Sequence, residues 1–291
     1  MDFILHILIM ISIYSIFAMS LNLELGYTGL YNFGHIAFFG IGAYSSAILS
    51  KAGFGFFPPL IIGMGLSIIA SFIIGIPALR LRGDYFGIAT LGFGEIMRLF
   101  FLNEAWLTRG PMGIPGILPP SFFGIIINTL PRFLILNLIF MILIWLFLYI
   151  LIKSPFGRVL KAIREDEAAA LSLGKNVYLF RLKSLMIGSA IAAIAGSLWA
   201  HYISYISPNE FTLTETIIVL LMVVLGGEGT LSGPIIGALT IIGFQEILRF
   251  FNLPPSLSRY IYPLREMVFG LTLVLLMIYK PQGIVGRRKD A

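Results

Sequence analysis

Long apolar runs broken by short polar stretches set the pattern of this chain. Nine such runs fall at about 3–22, 35–50, 58–79, 85–102, 133–152, 184–206, 214–226, 231–250 and 264–280. Roughly 20 apolar residues span the hydrocarbon of a bilayer as a helix. Inside hydrocarbon the backbone must satisfy its own polar groups, which makes helices of these runs. The pattern therefore predicts an all-α polytopic helical bundle, residues 1–291 forming a single transmembrane domain. Two runs are too short for a simple crossing, the glycine-rich 35–50 and the shorter 214–226. Such pieces predict broken or re-entrant helices buried against their neighbours.

One stretch departs from the apolar pattern. "GRVLKAIREDEAAALSLGK" (157–175) places Arg158, Lys161, Arg164, Glu165, Asp166, Glu167 and Lys175 close together. Ser154 and Pro155 read as an N-cap followed by proline at the first helical position. Gly174 suits the left-handed residue that ends a helix. Val159, Leu160, Ile163 and Leu171 fall on one face, with Arg164, Glu165, Asp166 and Glu167 beyond it. The expectation is a short amphipathic helix at the membrane face with its charges open to a partner. The alternative is a solvated loop that only holds positive charge on one side.

Composition agrees with a lipid solvent. The chain of 291 residues is 58% apolar and 12% charged, with mean hydropathy +0.95, against about one quarter charged in a soluble domain. The net charge of +6 reads as basic loops on the cytoplasmic side rather than as a nucleic-acid surface. Lys153, Arg158, Lys161, Arg164, Lys175, Arg181 and Lys183 lie in 153–183, Arg80 and Arg82 in the turn at 80–84, and Lys280, Arg287, Arg288 and Lys289 in the tail. Placing all three regions inside is consistent with nine crossings, an outside N-terminus and an inside C-terminus. The Pro- and Gly-rich loop 103–132 and the stretch 207–214 are then outside. No basic residue precedes the first apolar run, so it reads as a retained helix rather than a cleaved signal. There are no cysteines, which excludes disulfides, thiolate metal sites and cysteine nucleophiles.

Five blocks, in order, carry a resemblance. "LNLELGYTGLYNFGHIAFFGIGAY" (21–44), "LRGDYFGIATLGFGEIMR" (81–98), "LTRGPMGI" (107–114), "GRVLKAIREDEAAALSLG" running into "RLKSLMIGSAIAAIAGSLWA", and "VVLGGEGTLSGPIIGA" with "YKPQGIVG" resemble LivM-type permeases of bacterial ABC importers for branched-chain amino acids. Arg109 stands where that family usually has glycine. The resemblance implies a permease subunit in a prokaryotic inner membrane, paired with a LivH-type sister permease and two cytoplasmic ATPases. A periplasmic amino-acid-binding protein delivers the cargo. It also implies that segment 153–183 docks in a groove of the ATPase, through Arg164, Glu165, Asp166, Glu167, Ala168, Ala169 and Gly174. "EAAALSLG" resembles the importer EAA loop, with four residues rather than three between EAA and the glycine. No G-x-x-x-x-G-K-[ST] occurs, so ATP and Mg²⁺ are expected on the partner subunits and no cofactor on this chain.

Ionisable residues at membrane depth cost about 2.5–3.5 kcal/mol on insertion scales and usually face a cavity or partner. Glu95 and Arg98, one turn apart, read either as a path-lining pair or as a structural pair near a helix end. Asn32 and His35, at the start of a short helix, either meet a substrate carboxylate or hold the broken helix by hydrogen bonds. Gly226 and Gly227 read as a hinge along the path or as a plain tight turn, with Glu228 solvated. His6, His35 and His201 sit in separate segments without a carboxylate at metal-ligand spacing, and no serine lies in a nucleophile elbow. The readings kept beside the importer are a same-family permease for urea or short amides, a stand-alone carrier or channel, and an intramembrane enzyme. The amphipathic charged segment speaks against the carrier or channel and against the enzyme, and co-purification of ATPase subunits discriminates both from an importer.

Because the chain has no cysteine, orientation is directly testable with single substitutions. In intact cells an impermeant thiol reagent is expected to label Met112→Cys and to leave Lys175→Cys unlabelled until the membrane is opened. The reverse result inverts the topology.

Overall fold

The computed structural model of the chain describes residues 2–81, 83–122, 125–250, 267, 270, 271, 274 and 283–285. Helix α1 (Asp2–Thr28) leads through an irregular stretch to α2 (Ile36–Lys51), followed by α3 (Phe57–Ala78) and α4 (Asp84–Asn103). A short α5 (Ala105–Thr108) and a 3-10 turn at Gly110–Met112 open the excursion to α6 (Leu130–Lys153). Within it, β1 (Ile114–Pro115) pairs antiparallel with β4 (Tyr205–Ile206), Ile114 opposite Ile206. β2 (Ser121–Phe122) pairs with β3 (Ile125–Ile126). The charged projection is α7 (Pro155–Glu165) and α8 (Glu167–Ser172), and α9 (Val177–Ile203), a 3-10 turn at Pro208–Glu210, α10 (Leu213–Gly226) and α11 (Gly233–Phe250) follow.

The all-α polytopic expectation holds, while the count of nine crossings does not follow. Among the described residues, six helical stretches are long and apolar enough to cross a membrane: α1, α3, α4, α6, α9 and Pro208–Gly226. The run at 35–50 forms α2, a helix of 16 residues, shorter than those six. The run expected at 264–280 lies largely outside the described residues. Helices α1 and α9, 27 residues each, outrun the apolar stretches expected at 3–22 and 184–206. Helical hydrogen bonding continues through Asn22, Glu24, Arg181 and Lys183 because neighbouring segments receive several of those polar side chains.

Helices α1, α2 and α9 form the centre, and α3, α4 and α6 pack around them with one face outward. In lipid no hydrophobic force drives helices together, so close contact depends on small residues and interhelical hydrogen bonds. The α2–α9 contact shows this. A side chain at Gly42 would run into the backbone of Ala193, and one at Gly196 into the carbonyl of Phe39. Ser46 donates to Ser197 across the same seam at 2.6 Å. One end of the bundle carries the end of α1, the α3–α4 turn, α7–α8 and the α10–α11 turn. The other carries the β1–β4 pair, with Lys51 Nζ on the carbonyl of Pro115 at 2.7 Å.

Arg109 is one of two described non-glycine residues at positive φ, at 62°. In the left-handed region an L side chain costs about 1–2 kcal/mol, a cost that the glycine expected here from the resemblance would not carry. Arg109→Gly is expected to stabilise the protein by about 1 kcal/mol, read as a higher midpoint in thermal unfolding in detergent.

Candidate functional site

The charged projection is built by its termini. Ser154 sits in extended backbone ahead of Pro155, as expected, although its hydroxyl turns back to the carbonyl of Leu151. At the far end Gly174 takes φ 73°. Its amide returns to Leu171 and that of Lys175 to Ala170, the paired bonds of a Schellman cap. The segment is two helices rather than one. Asp166 leaves the helix at φ −152° and its carboxylate accepts from the amide of Ala169, capping α8. That break turns the apolar face. Leu160, Ile163 and Ala170 are buried, but Leu171, expected on the same face, is exposed.

Glu165, Asp166, Glu167, Ala168 and Ala169 form an exposed ridge beyond the apolar bundle. Glu167 is tied to Arg181 of α9 at 2.9 Å. Arg164 differs from its neighbours in turning inward. Its guanidinium donates through Nη1 to the carbonyl of Gly26 at the end of α1, and through Nη2 to Glu228 in the α10–α11 turn. Glu228, expected to be solvated, is therefore ion-paired and only partly exposed. The two turns that Arg164 joins have matching geometry. Gly26 and Gly29 on one side and Gly226 and Gly229 on the other share a spacing, and Gly29 and Gly229 take φ 70° and 73°. Asn22 stitches the same turns together. Its Oδ1 accepts from Gly229 at 2.9 Å and its Nδ2 donates to Thr230 at 2.8 Å. A cleft of about 620 Å³ between the projection and the α1–α2 segment is lined by Tyr31, Arg80, Glu167, Ala168, Leu171 and Arg181, among others.

Asn32 and His35 meet at the start of α2, buried to 1% and 0% exposure. They share that space with Glu24, a fully buried carboxylate. Asn32 Nδ2 donates to Glu24 Oε2 at 2.8 Å, and His35 Nδ1 lies 3.4 Å from Oε1. The Ser20 hydroxyl donates to Phe17, which leaves it to accept from His35 Nε2 at 2.7 Å. Gly188 of α9 supplies the room that the Glu24 carboxyl fills. The anionic place at this helix start is thus taken by the protein's own carboxylate, and the geometry is that of hydrogen bonds holding a broken helix. Those bonds also serve the irregular backbone. The amides of Leu30, Phe33, Gly34 and Ile36 find the Glu24 carbonyl, Thr90 Oγ1, Asn32 Oδ1 and Thr216 Oγ1.

Glu95 and Arg98 are paired, at 2.6 and 2.9 Å, and sit in the middle of α4 rather than near its end. Gly226 and Gly227 form a packed turn. A side chain at Gly226 would strike the carbonyl of Gly233, and Gly227 adopts φ 117°. No group of three metal-ligating side chains occurs among the described residues. The structure therefore brings Asn32 with His35, Glu95 with Arg98, and Arg164 with the Gly226–Glu228 turn, but it separates these three groups. Glu24, which organises the first, went unnoticed in the sequence. Its signal was there: a lone carboxylate in an otherwise apolar run. Glu215, bonded by Tyr14 at 3.1 Å, is a second one.

If Arg164 and Glu228 act as one unit, their substitutions cannot be independent. Arg164→Ala and Glu228→Ala are expected to couple by about 0.5–3 kcal/mol in a double-mutant cycle on thermal unfolding. Strict additivity would show that the two side chains act independently.

Comparison with known proteins places this geometry. The family model described as branched-chain amino acid transport system, permease component, matches residues 3–277. The chain is 36% identical to the high-affinity branched-chain amino acid transport system permease protein LivM of Salmonella typhimurium, over 95% of this chain and 68% of that protein. It is 31% identical to a probable LivM of Methanocaldococcus jannaschii, over 98% and 93% of the two chains. It is 25% identical to the autoinducer 2 import system permease protein LsrC of Salmonella typhimurium, over 74% and 62%. No solved structure matches the chain. With a match along nearly the whole sequence and apolar helices long enough to cross a membrane, the chain is a multi-pass membrane protein that belongs to the family of permease components of branched-chain amino acid transport systems.

Proposed function

We propose that the chain is a translocating subunit of an ATP-driven importer for branched-chain aliphatic amino acids, residues 1–291 forming one permease domain. It works in a prokaryotic inner membrane beside a LivH-type sister permease, with the projection and the C-terminus in the cytoplasm and the N-terminus outside. Two ATPase subunits bind ATP and Mg²⁺, a periplasmic binding protein supplies the cargo, and this chain carries no cofactor and performs no catalysis of its own.

The observation that carries this reading is the projection α7–α8. An apolar bundle exposes an acidic ridge, Glu165 to Ala169, on a helix pair capped at Asp166 and Gly174, and the same pair is anchored inside by Arg164. A surface ridge with an internal anchor suits a part that receives a displacement from a partner and passes it inward. In this mechanism the ATPases close on ATP and shift α8. Glu167–Arg181 carries the shift to α9, and Arg164 carries it to the ends of α1 and α10. The path at the membrane centre then opens without chemistry on this chain. Family membership favours this over a stand-alone carrier or an intramembrane enzyme. The cargo follows the LivM relatives. The relative LsrC, lower in identity and coverage, is named for another cargo, which supports keeping a same-family permease for urea or short amides as the second reading.

Gly174→Val separates docking from folding. A side chain there meets nothing within 4 Å, so the substitution acts through the left-handed backbone alone. In a reconstituted complex of permeases, ATPases and binding protein, it is expected to leave membrane insertion intact while abolishing leucine-stimulated ATP hydrolysis and uptake. Full coupled uptake by the variant would reduce the projection to a charged loop.

A further inference from the structure

Helix α4 carries charges where lipid is a poor neighbour. Gly94 packs its Cα against Gly34 just before α2 begins, so Glu95 lies at the depth where that broken helix starts. It stands about 16 Å along the axis from Asp84 and about 12 Å from Asn103, at 1.5 Å per residue. The face that holds Thr90, Gly94 and Phe101 is buried. The face centred on Glu95 points away from the bundle, with Glu95 49% and Arg98 22% exposed. Ile88, Leu91 and Leu99 are exposed on that same face.

A carboxylate and a guanidinium at that depth, open to the outside of the chain, require water or polar groups in front of them. Arg98 Nε and Nη2 bind the two oxygens of Glu95. Both charges are therefore compensated within one helix and need no fixed counter-charge on another subunit. The fork still leaves free valences facing outward. Guanidinium has five N–H donors and a carboxylate about four acceptor positions, and the pair uses two of each. One cargo chemistry fits an adjacent plus and minus with an aliphatic surround: a zwitterion with a branched alkyl side chain, whose ammonium and carboxylate share one carbon.

We propose that this face of α4 lines the aqueous path, with Glu95 receiving the α-ammonium and Arg98 the α-carboxylate of a passing amino acid while Ile88, Leu91 and Leu99 meet its side chain. The proposal rests on the amino-acid reading above. Self-pairing keeps the site weak, because the charges of Glu95 and Arg98 already compensate one another and only the valences outside their fork are offered to the cargo. Weak binding is what transport requires, since a site must release what it admits.

Gly92, on the same face one turn before Glu95, has nothing within 4 Å of an added side chain and provides a reporter in a chain without cysteine. The full complex, its partner subunits freed of reactive cysteines, is treated with a cationic methanethiosulfonate, which requires a hydrated thiolate. Gly92→Cys is expected to react at least tenfold faster than Ile142→Cys on the apolar outer face of α6. Millimolar leucine is expected to slow that reaction at least fivefold. Neither 4-methylpentanoate, which lacks the ammonium, nor 3-methylbutylamine, which lacks the carboxylate, should do so, and Glu95→Gln should remove the leucine effect. Reaction as slow as at Ile142 means that lipid or another subunit covers the face, and overturns the proposal. Equal protection by all three compounds, or by none, also overturns it. Leucine uptake by the same preparation separates the two readings: uptake without protection sinks this site alone, and no uptake even by the unsubstituted complex sinks the amino-acid reading itself.

Discussion

The structure depends on how irregular backbone is kept inside a medium with no water. Between the end of α1 and the start of α2 the chain runs back into the bundle as irregular backbone, and each unsatisfied peptide group there would cost several kcal/mol. Side chains make up the loss. Asn32, Thr90 and Thr216 come from three different segments, and each accepts one of the freed amides. Glu24 holds Asn32 in place for that task. The short α2 can begin in mid-membrane only because these groups converge, and its backbone contacts with α9 are then set by Gly42 and Gly196.

This explains what was legible in the sequence. Apolar runs announce helices because lipid imposes a single solution on them, and the start and stop signals at Pro155 and Gly174 work locally. Resemblance located the segments that matter and flagged Arg109, whose left-handed backbone gives that flag a physical meaning. The rest depended on tertiary partners or on a choice among adjacent carboxylates. Nothing in "EDEAAA" tells which carboxylate bends back to cap a new helix, so the break at Asp166 and the turning of Leu171 outward were invisible. Arg164 reads as one more charge of an exposed cluster, because its two acceptors lie far from it along the chain. Glu95 and Arg98 were seen as a pair, but their depth and outward aspect depend on where Gly94 meets Gly34.

These polar clusters differ in whether they are shut away from the outside of the chain. Glu24, Asn32 and His35 are buried together, Asn32 bonded to one oxygen of Glu24 and His35 beside the other. Glu95 and Arg98 satisfy one another while remaining accessible. The first arrangement gives rigidity. The second leaves a charged surface at a depth where only hydration or another polar group is tolerated.

The Arg164 contact also limits how the molecule can deform. One planar guanidinium, rigid in itself, holds the terminal peptide of α1 and the turn after α10, and Asn22 ties the same two places from inside. These helix ends behave as the two arms of a yoke on a single pin. A displacement of either one strains bonds held by the other, so the joint between them resists independent movement more than two helices that merely touch.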